Sequence, residues 1–425
     1  MDTVKAEKIK NVISFWKNEA LDDALFSRDI VSRIDLDSPE VIDLIGVRRS
    51  GKSSALKLIA RGLPDPDSWF YINFEDPFFV ENNTATVVED LVNIYAEYFS
   101  PNLKYLFFDE IQNINSWEKA IRKYRDAAKY KIFVTGSSSK LLSGELATLL
   151  TGRHLSYDLL PLSFKEYLPF KKISFRSVKD LVVQGDELRK AFREYLFHGG
   201  FPQVALSEEY DLLRTYYGDI VQKDILGRYE VRDRDTLEKI GLFLATNSSK
   251  LLSPSSLKRL YSVSFDKATK YTGYFKEAML SYELAPYSSS LKSRQRSLKK
   301  IYSVDTGLAN AVSMSFSEDK GRLLENSVFL ELKRRGEEFY YYKQNGSEID
   351  FAVRKKDGEI ELIQVCFDFE DPVTVERELR QIGKVADKLG AKRVMVITME
   401  KKDSISRDGL KVEVVLAYEW MLEGA

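Results

Sequence analysis

The chain has 425 residues, 44% hydrophobic and 30% charged, and its 64 Lys+Arg against 65 Asp+Glu leave a formal net charge of -1. That length allows two to four domains with real cores, and the charge balance excludes a global basic field, so any surface for nucleic acid or membrane must be local. One cysteine, Cys366, and two histidines, His154 and His198, exclude an internal disulfide framework and argue against a cysteine- or histidine-rich metal centre.

In chain order, residues 8–17 (KIKNVISFWK) predict a short amphipathic helix. The run 41–45 predicts a strand ending in glycine, and 53–62 a helix with Ala55, Leu56, Ile59 and Ala60 on its apolar face, closed by Gly62. Apolar runs at 69–74, 103–108 and 131–135 alternate with helix-length segments, the pattern of a parallel α/β sheet with crossovers. Helical pattern dominates from about 140 to 230, interrupted by Pro161, Pro169 and the turn at Gly199–Pro202. Three helices and then two strands around a basic turn, within 235–302, outline a winged helix. From 323 a helix, the strand-like stretches EFYYYK, EIDFAVR and IELIQVCF, a second helix and RVMVITM predict a second, smaller α/β unit. The expected divisions are 1–160, 161–230, 231–315 and 316–425. No apolar run approaches the ~18 residues that span a bilayer, and the N-terminus lacks an apolar leader segment. The expectation is a soluble, cytoplasmic protein with no membrane partner.

Gly46-Val47-Arg48-Arg49-Ser50-Gly51-Lys52-Ser53 matches G-x-x-x-x-G-K-[ST], with a strand before it and a helix after it. Its backbone, with Ser54, would cradle phosphate. Lys52 would neutralise the β- and γ-phosphates, and Ser53 would ligate Mg²⁺. The run ending in Asp109-Glu110 delivers two acids from a buried strand. Asp109 would hold the Mg²⁺ shell and Glu110 would polarise the attacking water. In KIFVTGSSS, Thr135 or Ser137 could position that water, and a plain Gly/Ser turn is the competing reading. The absence of a guanine-reading N-K-x-D points to ATP. In Thr151-Gly152-Arg153, the arginine could act in trans on a neighbour's nucleotide or form a surface salt bridge.

The order of these elements resembles AAA-type P-loop ATPases and, more narrowly, archaeal and bacterial ATPases fused to a C-terminal domain of unknown function with a nuclease-like core. The strings that carry it are Arg28-Asp29, GVRRSGKS, LFFDEIQ, VTGSSSKLL, LTGRHLSYDLLPLSFKEYL, GGFP, KKIYSVDTGL, LENSVFLEL and EIDFAV. The resemblance implies an α/β fold: a P-loop parallel sheet with a helical lid, a winged helix and a small restriction-endonuclease-like domain. It implies that Arg153 acts in trans, which requires a homo-oligomer such as a hexameric ring, and that Gly200 and Pro202 form a G-x-P turn on the adenine side. It further implies a PD-(D/E)xK-type core in which Glu325 and Asp350 occupy expected positions. The E-x-K triplet there reads Gln364-Val365-Cys366, so no nuclease activity is expected. Lys258, Arg259, Lys267 and Lys270, with Lys292, Arg294, Arg296, Lys299 and Lys300, favour DNA, including branched or junction DNA, as partner. The rival is a STAND-like signalling ATPase whose tail binds a protein.

Overall fold

The computed structural model describes residues 3–22, 24–136, 152–288, 290–313, 320–344, 346–407 and 409–423. It divides into two compact units, Met1–Leu159 and Leu160–Ala425.

The first unit is built on a five-stranded parallel sheet. Its strands are β1 (Val41–Ile45), β2 (Trp69–Asn73), β3 (Tyr105–Asp109), β4 (Lys131–Thr135) and β5 (His154–Asp158), in the order β2-β3-β4-β1-β5. Strands β1 to β4 are the four expected apolar runs; parallel strands covered on both faces read as continuous apolar stretches. Strand β5 lies in a stretch expected to be helical. As an edge strand paired only with β1 it keeps much of its surface, so HLSYD carries no apolar run. Helix Lys52–Arg61 buries Ala55, Leu56, Ile59 and Ala60, the face its periodicity predicts. These side chains join Ile42, Leu44, Trp69, Phe107 and Phe133 in one core cluster, where Phe107 and Phe133 stack at 4.5 Å. The N-terminal helix, Thr3–Asp22, is longer than the expected 8–17.

The second unit opens with helices between Phe164 and Ile220. Helix Arg234–Thr246, strand β6 (Leu251–Leu252), helices Pro254–Tyr261 and Phe265–Glu277, and strands β7 (Ser281–Leu284) and β8 (Lys299–Ser303) follow. The strands form a three-stranded sheet in the order β6-β8-β7. The link between β7 and β8 is not the simple basic turn expected. It carries a short helix, Leu291–Arg296, in keeping with the good helix propensity of its Leu, Lys, Arg and Gln residues.

Helix Lys320–Arg334 then leads into a six-stranded sheet. Its strands are β9 (Glu338–Gln344), β10 (Ser347–Arg354), β11 (Ile360–Val365), β12 (Arg393–Thr398), β13 (Asp403–Arg407) and β14 (Leu410–Leu416), in the order β13-β14-β12-β11-β10-β9. Helix Pro372–Leu389 connects β11 to the parallel β12 and packs on β10 and β11. Strands β13 and β14 lie beyond the last element read from the sequence and add an antiparallel edge. Among the described residues, no helix is long and apolar enough to cross a membrane.

Candidate active site

Strand β1 hands the chain to the loop at Gly46. A Cβ there would stand 2.3 Å from the Leu159 carbonyl oxygen, so the strand end passes too close to its neighbour for any side chain. Within the loop, Arg49 and Gly51 both take left-handed backbone, φ 70° and 98°. For Arg49 that conformation costs about 1–2 kcal/mol. Loop residues that switch hand in this way turn successive N–H groups towards a common centre, the geometry of an anion nest. Helix Lys52–Arg61 starts immediately afterwards and adds its positive end.

The Lys52 side chain is buried, and its ammonium donates to the carbonyl oxygens of Gly46 (3.0 Å) and Val47 (3.2 Å). From outside the motif, the buried Arg28 donates from Nη1 to the Ser50 carbonyl oxygen at 2.8 Å, which braces the loop from behind. Ser53 and Ser54 are half-buried in the first helical turn, and Arg49 is exposed. Arg48 lies 3.7 Å from Glu75.

Asp109 closes β3 and is fully buried. Such a carboxylate needs donors, and two flanking strands supply them. From β2, the Tyr71 hydroxyl donates to Oδ2 at 2.6 Å and the Asn73 amide at 3.2 Å. From β4, the Thr135 hydroxyl donates to Oδ1. The same hydroxyl accepts the Glu110 N–H at 3.1 Å, so one side chain fixes both acids. Ser53 is in hydrogen-bonding reach of the Tyr71 hydroxyl, which links the phosphate loop to Asp109 across β2.

Glu110 takes left-handed backbone, φ 52°, and its carboxylate accepts from the Gln112 amide. Burial pushes the Glu110 carboxyl above its usual range. The Lys52 charge opposes that shift and the Asp109 charge adds to it. The loop ammonium and the acid therefore act on one electrostatic site.

Thr135 thus bonds the Asp109 carboxylate and the Glu110 backbone N–H. Ser137 lies outside the described residues. Tyr71, Asn73 and Gln112 were not picked out from the sequence. Their one signal is a polar group breaking, or just following, an apolar strand.

Arg153 precedes β5, and its carbonyl oxygen accepts the N–H of Val41 at the start of β1. It therefore stands at the end of the sheet opposite Gly46, with Nε 3.7 Å from Asp126. Gly200 and Pro202 belong to the second unit. The Gly200 N–H donates to Asp305 Oδ2 at 2.7 Å, its carbonyl oxygen accepts from Leu162 N at 2.7 Å, and a Cβ would stand 2.4 Å from the Leu162 carbonyl oxygen. Pro202 opens helix Pro202–Ser207. GGFP and YSVDTGL therefore interlock through Asp305, which packs the turn tightly within the second unit.

Residues 38–168 match the family described as an AAA domain, and residues 189–319 match a domain of unknown function, DUF8612. An uncharacterized protein of Methanocaldococcus jannaschii is 34% identical over 419 residues, covering 94% of this chain and 91% of that protein. An uncharacterized protein of Haemophilus influenzae is 31% identical over 413 residues, 94% of this chain and 98% of that one. The chain belongs to their family. Its first unit carries the AAA domain, on a five-stranded parallel sheet of the P-loop type. The solved structure of the Aeropyrum pernix ORC1 protein in complex with DNA is similar at 14% identity and a TM-score of 0.28, over 70% of this chain and 95% of that one.

Proposed function

We propose that this family member hydrolyses ATP, that it does so as an oligomer, and that it couples turnover to a partner held by its second unit. The observation that carries the reading is the Asp109–Thr135–Glu110 network set opposite Lys52. Lys52 and the loop N–H groups would bind the phosphates. Three donors hold and orient the Asp109 side chain. Glu110, whose burial raises its carboxyl above the usual range, would be the better base for a proton from the attacking water. The Ser53 hydroxyl and the Asp109 carboxylate are hard oxygen donors of the kind that suit Mg²⁺. With its oxygens already bonded, Asp109 would hold the ion through a water ligand. When bound, Mg²⁺ supplies neutralisation of the charge that develops on the phosphate oxygens. Arg153 lies at the wrong end of the sheet for its own site, so a catalytic role for it needs a second copy of the chain. Nucleotide binding and turnover by Lys52→Ala and Glu110→Gln variants test this reading.

For the second unit, the element order from Arg234 to Ser303 supports a winged helix, and that from Lys320 to Thr398 supports a nuclease-like core. The 161–230 segment is then the helical lid. DNA is the favoured partner. Lys258, Arg259 and Lys270 are exposed and outside every ion pair among the described residues. Not all of the basic residues read from the sequence are available. Arg294 donates to the Tyr340 hydroxyl, Lys299 donates to the Arg294 carbonyl oxygen, Lys267 pairs with Asp233, and Lys300 is buried. These engagements favour, as a second reading, the signalling ATPase whose tail binds a protein. Turnover stimulated by duplex, forked or four-way DNA supports the first reading; turnover indifferent to all three supports the second.

A further inference from the structure

Lys300 is on β8, the middle strand of the three-stranded sheet, and is 3% exposed. A buried ammonium is expensive unless carboxylates surround it. Here three do. Its Nζ is 2.9 Å from Asp350 Oδ1 on β10, 3.1 Å from Glu325 Oε1 on helix Lys320–Arg334, and 3.3 Å from Glu348 Oε1 on β10. Two residues along β8, on the same face, the Tyr302 hydroxyl donates to the same Glu325 oxygen at 2.7 Å. Asp350 Oδ2 accepts the Val365 N–H at 3.0 Å. An ammonium has three N–H donors on a compact charge, which matches three converging oxygens. The carboxylates outweigh the cost of burial and hold Lys300 above its ordinary pKa. Burial and the Asp350 charge push the Glu325 carboxyl above its ordinary range, and Lys300 and the Tyr302 hydroxyl oppose that shift.

Glu325 and Asp350 are the two acids that a nuclease-like core would use to hold a divalent metal. The side chains at the remaining positions face other partners. Gln364 accepts the Asp350 N–H and donates to Glu378 at 3.0 Å, and the Cys366 thiol donates to the Asp368 carbonyl oxygen. Among the described residues, no three His, Cys, Asp or Glu side chains form a group that could hold a metal ion as the structure stands; here Lys300 Nζ occupies the point on which the three carboxylates converge.

We propose that the Lys300 ammonium is the resident cation of the Glu325–Asp350–Glu348 pocket, standing where a divalent metal would stand and fastening β8 to β10. The pocket is thereby converted from a metal centre to an internal ion cluster that joins segment 251–303 to segment 320–416. Removing the ammonium leaves three carboxylates uncompensated, and a divalent cation becomes the best available substitute.

The test is thermal unfolding of the full chain, without nucleotide, in EDTA and in millimolar Mn²⁺. It uses the wild type, Asp350→Asn, Lys300→Ala and the Lys300→Ala/Asp350→Asn double variant. In the wild type Mn²⁺ leaves the melting temperature unchanged. Lys300→Ala lowers it by roughly 5 °C or more in EDTA, and Mn²⁺ restores it. Adding Asp350→Asn recovers part of the loss without metal and removes the response to Mn²⁺. If Lys300→Ala does not fold in EDTA, a folded double variant gives the same support, and a double variant that is equally unfolded overturns the proposal. It is also overturned by a wild-type Mn²⁺ response that Asp350→Asn abolishes, or by a Lys300→Ala melting temperature equal to wild type. A loss that neither Mn²⁺ nor Asp350→Asn relieves overturns it too.

Discussion

Replacing Thr135 by Val keeps the shape of the side chain and removes one hydroxyl, the group that bonds both Asp109 and the Glu110 N–H. A hydrogen bond to a charged group contributes about 1.5–3 kcal/mol. The Glu110 N–H loses its acceptor too and adds about 1 kcal/mol, the low end for an unsatisfied group. The sum is about 2–4 kcal/mol against folding of the first unit. At ~2–4 °C per kcal/mol for a domain of this size, the melting temperature falls by roughly 5–15 °C. Turnover falls with it, since the two acids lose their common anchor, while Thr135→Ser retains most of both. Urea unfolding alongside phosphate release measures the two effects on the same samples. A Thr135→Val protein with wild-type stability and lost turnover would refute this reasoning and assign the hydroxyl to the nucleotide.

Arg153→Ala should keep ATP binding and lower turnover by about 10³-fold if the residue acts on a neighbour's site; full turnover in phosphate release would leave it as a partner of Asp126 only. Gly200→Ala forces a methyl towards the Leu162 carbonyl oxygen. It should destabilise the second unit by about 1–3 kcal/mol with unchanged ATP affinity by titration calorimetry, whereas weakened ATP binding at intact stability would indicate an adenine contact. His154 has its pKa raised chiefly by its hydrogen bond to Asp43, 3.1 Å away. A raised folded-state pKa contributes stability that is complete below the unfolded value of about 6.5 and is lost as pH rises through the folded value. The stability difference between wild type and His154→Gln should therefore shrink as pH rises from about 6 to 9; a difference constant with pH would refute it.

The phosphate loop, the two acids and strands β1 to β4 were legible because each is a local signal: fixed spacing, or an apolar run ending in a charged or small residue. What supports the acids was not legible. Tyr71 and Asn73 serve Asp109 only because β2 lies beside β3 with Asn73 opposite Asp109, and strand order is a property of the whole sheet. Edge strand β5 was missed because half-exposed strands carry little apolar signal. Lys300 was read with the basic run around it as favouring a DNA partner. Along β8 it shares a face with Tyr302, two residues on, but burial is continuous from Lys300 to Ser303, so no alternation marked it.

The most direct measurement is ATP binding by titration calorimetry with Mg²⁺, run beside phosphate release, for wild type, Lys52→Ala and Glu110→Gln. Binding and turnover are expected for wild type, binding without turnover for Glu110→Gln, and neither for Lys52→Ala. Wild-type turnover in Glu110→Gln, or undiminished ATP binding in Lys52→Ala, would contradict a site made by the 46–53 loop and the acids at 109 and 110.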